Sequence, residues 1–303
     1  MKAKHILPLL ALVVLCTSQH ATAEKLRYKF TKDAVHENVM TMQMDMKMNV
    51  NGMDINVKMT QVADMKMTVT NVDSDGNAST VQQITRMKMS MQGAPGLSFE
   101  YDSASKDPPQ GLAASMAPLF KALTENSFKG KLAPSGAILS VEIPKEFIDK
   151  LKSSPQAAIL GNLFTEDGIK DLMRNSAMTL PDGDSAEGDE WSNSVSVKMP
   201  FGGEQVTSTT YTYRGPKMVG DKSLEQIDVM SKMTIEADDD AQVPIVIKSH
   251  KGAGTILFDN QAGQLQSTTL TQTTVMQIDA GGQKIDQTVK VIVTVEQKPT
   301  SPK

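Results

Sequence analysis

Between residues 40 and 50 the chain reads MTMQMDMKMNV, with Met or Val at every even position and Thr, Gln, Asp, Lys or Asn at every odd one. A helix advances about 100° per residue and would scatter these methionines around its circumference, whereas a strand alternates its side chains between two faces. The segment is therefore a strand with one apolar and one wet face. Asn51-Gly52 follows, and both residues tolerate the positive φ that a two-residue hairpin turn requires. Such a turn sets Val50 opposite Met53, Met48 opposite Ile55, Met46 opposite Val57 and Met44 opposite Met59. All four pairs are apolar, so pattern and register agree.

The returning strand keeps its period through residue 69, with Ile, Val, Met, Gln, Ala, Met, Met and Val at the odd positions from 55. DSDGN (73–77) then turns the chain again. A three-residue loop, Ser74-Asp75-Gly76, predicts Val69 opposite Val81, Ala63 opposite Met87 and Met59 opposite Met91. A two-residue loop would place Lys88 on the apolar face. The expected result is a row, Met44, Met59 and Met91, crossing three antiparallel strands away from Asp45, Lys58 and Lys88.

Methionine is an unbranched, polarizable side chain that fills irregular apolar space and lets a surface repack. This face supplies the candidate ligand-binding residues: Met44, Met46, Met59, Met65, Met67, Met87, Met89 and Met91. The ligand they suit is an acyl chain or other lipid, or a hydrophobic peptide. Copper(I) is the sharper alternative, because thioethers are soft ligands. A copper site needs three or four sulfurs converging on one point, and these are spread along a sheet. No metal or other cofactor is expected.

Lys2 and Lys4 precede the apolar run ILPLLALVVLC (6–16), and Ala21 and Ala23 frame a small-residue cleavage site. That is the form of a secretory signal peptide, 1–23, cleaved after Ala23, which predicts export to a periplasm or the exterior. The run is too short to span a bilayer, and no later segment has the ~20 apolar residues that a span needs. Leu15 before Cys16 departs from a lipidation signal, which wants a small residue there. Cys16 is the sole cysteine, so the mature chain would carry no disulfide. Without the leader the 31 basic residues fall to 29 against 35 acidic ones, a net charge of about −6. No basic patch with interleaved aromatics exists, which argues against nucleic acid as a partner.

The rest of the chain divides into a helical insert and a second β-rich region. Residues 24–110 read as an antiparallel meander. Residues 111–180 read as helices around a short hairpin at Pro134-Ser135-Gly136. Among the helices are 112–125 (with Pro118 starting its own turn), 155–164, and a segment capped by Thr165. Residues 181–303 are β-rich again and continue one domain with 24–110. The predicted fold is mainly β, a large curved antiparallel sheet or incomplete barrel with a small helical insert.

KLRYKFTKDAVHENV (25–39), VDSDGNASTVQQITRMKMSM (72–91), LPDGDSAEGDEWSNSVSVKMPFGG (180–203), YTYRG (211–215) and GAGTILFDNQAGQLQSTT (252–269) together resemble an uncharacterised exported bacterial family of unknown function. The shared marks are turn glycines, Trp191 and β patterns. The resemblance implies the fold but transfers no activity and no site residue. In shape, the expected sheet resembles that of periplasmic lipoprotein carriers.

Catalytic patterns are missing: there is no nucleophile elbow, no phosphate-binding glycine loop and no zinc helix. His36 and His250 read as solvated or hydrogen-bonded residues rather than a catalytic pair. DGDSAEGDE (182–190) misses the calcium-loop spacing. Trp191, beside a β region, reads as core. The sequence thus points to an exported, non-enzymatic protein that binds an apolar ligand on its Met-rich face. A scaffold whose Met face is core is the rival reading, and the oligomeric state is left open.

Overall fold

The computed structural model describes residues 24–50, 52–93, 98–152, 165–199, 203–236, 238 and 243–298. The leader 1–23 and the expected helix 155–164 lie outside them. Twelve strands form one antiparallel sheet: β1 (Val35–Val50), β2 (Met53–Val72), β3 (Ala78–Gln92), β4 (Phe99–Asp102), β5 (Ser127–Leu132), β6 (Ile138–Glu142), β7 (Glu190–Lys198), β8 (Glu204–Val219), β9 (Lys222–Glu236), β10 (Ile245–Asp259), β11 (Gln264–Ala280) and β12 (Gln283–Gln297). Their spatial order is β6-β5-β3-β2-β1-β12-β11-β10-β9-β8-β7, with β4 on the upper half of β3. The helices are α1 (Gly111–Glu125), α2 (Lys145–Lys152) and α3 (Glu166–Ser176). The sheet does not close into a barrel.

The first hairpin has the expected register at all four pairs, from Val50–Met53 to Met44–Met59. Gly52 takes a φ of +79°, and its N–H is accepted by the Asn49 side chain at 3.1 Å. The DSDGN loop is also as expected, with Gly76 at +80° and the Asp73 N–H donating to Asn77 O. Met59–Met91 and Ala63–Met87 pair, but Val69 faces Thr80 rather than Val81. Two bulges cause the correction. Thr70 is extra in β2 and Thr85 is extra in β3, so the register slips by one residue and then returns. Each bulge reverses the alternation locally. On β3 the inward residues are therefore Ala78, Thr80, Gln82 and Ile84 below Thr85, and Met87, Met89 and Met91 above it.

The register carries the Met face across the whole sheet. One row runs Met89, Gln61, Met42, Val293, Leu270, Gly254, Val229, Tyr211 and Trp191. Its right-hand end belongs to the main core cluster of Leu26, Leu180, Tyr211, Tyr213, Ile227, Val229, Ile256 and Phe258. Its left-hand end lies under α1, which packs Phe120 and Ala113 on Met87 and Phe99. Trp191 stacks on Tyr211 and donates its indole N–H to Thr179 O at 2.8 Å.

Residues 24–34 cross the lower end of the sheet and show that it curls. Tyr28 N donates to Pro134 O, in the β5–β6 turn, at 2.8 Å, and the next residue, Lys29, donates to Gly263 O, in the β10–β11 turn, at 3.1 Å. Adjacent residues thus bridge turns that belong to opposite halves of the sheet. Leu180 N bonds to Ser135 O, and Glu24 and Ser185 exchange both backbone bonds. The Met face is the inner face of this trough.

Thr165 caps α3 as predicted, its hydroxyl accepting from Gly168 N at 3.1 Å. Pro118 does not start a turn of its own but lies inside α1. A proline there removes one helical hydrogen bond, at a cost of about 3 kcal/mol, which the burial of Phe120 against Met87 and Phe99 and of Ala122 against α2 offsets.

Gly263 and Gly281 provide a test of the crossing segment. Their φ values are +66° and +65°, but a Cβ at Gly263 would lie 2.3 Å from Lys29 N, whereas at Gly281 it would meet nothing. Gly281→Ala should cost only the left-handed penalty of about 1–2 kcal/mol. Gly263→Ala should cost a further ~1–3 kcal/mol from overpacking. Denaturant melts of the two variants measure the difference, and equal losses would mean that the crossing segment does not brace the sheet.

Candidate functional site

The eight candidate methionines share the inner face but fall into three environments. Met87 is 3 % exposed, and it, Met89 and Met91 pack beneath α1 with Phe99, Phe120 and Met116. Met44, Met46 and Met59 are half-buried toward the upper end, where Gln287 donates to the Met46 sulfur. Met65 and Met67 lie between the two bulges and face cavities. The sequence pattern treats all eight alike.

The first cavity, about 250 Å³, is walled by strands from both sides of the trough and by the crossing segment. Met67 and His36 contribute from β2 and β1, Ile138 from β6, Leu265 and Gln264 from β11, with Phe30 and Met178 closing it. The second, about 370 Å³, contains Met65, Ile84, Gln82, Leu123, Phe128, Phe147, Ile169 and Met173. Asn38 and Met67 line both, so the two cavities adjoin. Phe128 and Phe147 meet edge to face at 5.1 Å on the far wall. The register shift between the β2 and β3 bulges aims Gln82 rather than Val81 into this space.

His36 departs from its expected role as a satisfied residue. Its Nε2 is buried without a hydrogen-bond partner, one of two such side-chain atoms among the described residues, and burial holds its pKa below the ordinary histidine value. Lys29, at the rim, donates its ammonium to Asn260 O at 2.8 Å and to Gln261 O at 3.2 Å.

His250 is far from His36 in the sheet order and belongs to a different group. Its Nδ1 lies 2.8 Å from Thr274 Oγ1 and its Nε2 lies 3.2 Å from Ser231 Oγ, which also accepts from Gln272 Nε2. Ser231 and Thr274 are almost fully buried. Ser231 fits because Gly252 opposite it has no side chain; a Cβ there would come within 1.8 Å of Ser231 Oγ. Neither cavity reaches this polar island, and it reads as a closed hydrogen-bonded patch of the wall.

A larger cleft of about 1020 Å³ lies beside β4 and α1 and carries charged groups. Asp102 accepts from Arg86 Nε at 3.1 Å and Nη2 at 2.7 Å, while Glu125 pairs with Lys121 and Lys150. These pairs use the charges internally. The Arg86 guanidinium, helped by the Ala104 N–H, holds the Asp102 carboxyl down at about 2. A depressed carboxylate stabilises the fold above its unfolded pKa near 4 and loses that contribution as pH falls toward 2. Arg86→Gln should therefore flatten the stability-against-pH curve between about pH 4 and 2, modestly for so exposed a pair. Urea melts across that range measure it, and an unchanged slope would show that the pair contributes nothing.

Among the described residues no helix is long and apolar enough to cross a membrane, and no cluster of three or more His, Cys, Asp or Glu could hold a metal.

The fold and site define a class: a single curled antiparallel sheet, open along its length, with apolar cavities between its wall and a helical insert. A family model described as a family of unknown function, DUF6263, matches residues 75–280, and the chain belongs to that family. No curated protein matches the sequence. Among solved structures, the chain is similar to lipovitellin, at 10% identity and a TM-score of 0.46, over 91% of this chain and 26% of that one. It thus spans about a quarter of the lipovitellin chain. It is also similar to an exported protein with a YmcC-like fold from Bacteroides fragilis (8% identity, TM-score 0.23, 90% and 99% of the two chains). A third likeness is to a β-barrel-like DUF1849 protein from Brucella abortus (7% identity, TM-score 0.22, 89% and 100%).

Proposed function

We propose that the protein is an exported, non-enzymatic binding protein that holds an apolar chain inside its curled sheet. The observation that carries the reading is the pair of adjoining cavities, about 250 and 370 Å³, which meet at Asn38 and Met67 behind apolar walls. Together they fall in the ~300–1,000 Å³ range of small-molecule sites. Their walls are chiefly Met, Phe, Leu and Ile, and flexible methionines let one site accept chains of differing shape. The leader-like segment 1–23 supports export.

The scaffold reading has an observation of its own: Met87, Met89 and Met91 pack as core beneath α1. A binding function therefore falls to Met65 and Met67, with Met44, Met46 and Met59 as the continuing wall.

Nile red, an uncharged apolar dye, separates the two readings. Wild-type protein should bind it with a blue-shifted emission. Met67→Trp, which fills the junction of the cavities, should weaken binding at least about tenfold, equivalent to ~1.4 kcal/mol. Met59→Leu with Met91→Leu should leave binding intact, since volume and hydrophobicity are kept. Absence of dye binding by wild type would favour the scaffold. Copper(I) uptake lost in the double Leu variant would instead make sulfur the functional group.

A further inference from the structure

The polar atoms inside the cavities narrow the ligand further, an argument that rests on the apolar-chain reading above. A buried imidazole nitrogen with no partner leaves a hydrogen bond unmade, which costs about 1–3 kcal/mol. His36 Nε2 is such an atom, and it stands on the cavity side of β1, directly opposite Met67 of β2. Two residues along the same face is Asn38, opposite Met65 and shared by both cavities. Gln82 and Gln264 add side-chain amides. Among the described lining residues the polar side-chain groups within the walls are therefore imidazole, amides and the Tyr28 phenol, all uncharged at neutral pH.

Among the described lining residues, charges are confined to the edges. In the first cavity the charged lining residue is Lys29, exposed and bonded through its ammonium to two carbonyl oxygens of the β10–β11 turn. In the second it is Lys66, which pairs in register with Glu37 on the outward alternation of β2 and β1. Burying a carboxylate or phosphate beside His36 would strip its water without supplying a counter-charge, which is costly. Burial also keeps the imidazole in its neutral form, so His36 offers one hydrogen-bonding nitrogen and no positive charge.

We propose that the ligand is a single-chain amphiphile with an uncharged hydrogen-bonding end, such as a monoacylglycerol or a fatty alcohol. Its polar end bonds to His36 Nε2 beside Asn38, and its chain passes Met67 and Met65 toward Phe128 and Ile169. Neutral imidazole either donates to an oxygen or accepts from a hydroxyl, so a glycerol or alcohol end satisfies it in either tautomer.

Displacement of Nile red from the purified protein tests this with three probes of equal chain length: monodecanoylglycerol, decanol and decanoate. For wild type, the glyceride and the alcohol should displace the dye at several-fold to tenfold lower concentration than decanoate at neutral pH. His36→Leu should abolish that preference, with glyceride affinity, referenced to each variant's own directly titrated Nile red affinity, falling about three- to tenfold, the worth of one hydrogen bond. His36→Gln, which keeps a polar side chain, should retain most of the preference, and circular dichroism of both variants checks folding. Decanoate binding as well as or better than the uncharged probes would overturn the proposal, as would an unchanged preference in a folded His36→Leu variant. Failure of wild type to bind Nile red would overturn the cavity reading itself and this inference with it.

Discussion

The pairing of β1 with β12 holds the molecule together as one object. It joins twelve residue pairs, from Asn38–Gln297 to Asn49–Asp286, between the first and last strands of the sheet. Each half is otherwise a run of local hairpins that exposes a long edge, and an unpaired edge is a template for aggregation. Docking the two edges places β1 and β12 at the centre of the sheet and aligns Met40, Met42, Met44 and Met46 with Val295, Val293, Val291 and Val289. The inner face is thereby continuous. This contact spans nearly the whole chain, so its loop-closure entropy is large, and its formation is expected to follow that of the hairpins.

Curvature follows from where bulk and its absence are placed along that face. Tyr211, Tyr213, Ile227 and Phe258 fill the right half around Leu26 and Leu180. Gly252 and Gly254 leave room on β10 for Ser231 and Leu270, and a Cβ at Gly254 would strike Thr269 O at 2.2 Å. On the left, α1 and α2 supply the covering side chains. Between these two filled regions the described residues wall the trough and leave the two cavities. Methionine at this junction suits a wall that has to be apolar without being rigid.

The strand pattern, the Asn51-Gly52 turn and the glycine of DSDGN made the first hairpins and the Met44–Met59–Met91 row legible from residues alone, because each rests on neighbours in the chain. The Thr70 and Thr85 bulges were not legible. A bulge adds one residue to one strand, and Thr fits a β-strand equally well inside or outside the ladder. Its consequence, Thr80 and Gln82 turned inward in place of Val81, runs against hydrophobic patterning and is stabilised by tertiary partners such as Gly130 O, which accepts from Thr80 Oγ1. The place of Pro118 inside α1 is hidden for a similar reason, since the local rule gives way to packing of the helix against β3, β4 and α2.

For the candidate site, the sequence determined its chemistry and left its location to the fold. Period-two methionines on one face require an apolar surface, and period alone shows which residues share it. Period does not show what stands opposite that surface. Whether a methionine lies under a helix, like Met87, or against a cavity, like Met67, depends on helices and turns far away in the chain. His36 is the sharpest case: in the sequence it is one polar residue before a strand of methionines. Only the curl of the sheet, held by Tyr28 and Lys29 across the β5–β6 and β10–β11 turns, encloses its Nε2 away from water and from any partner. Alternation is a local property of the backbone, whereas enclosure depends on contacts between segments more than two hundred residues apart.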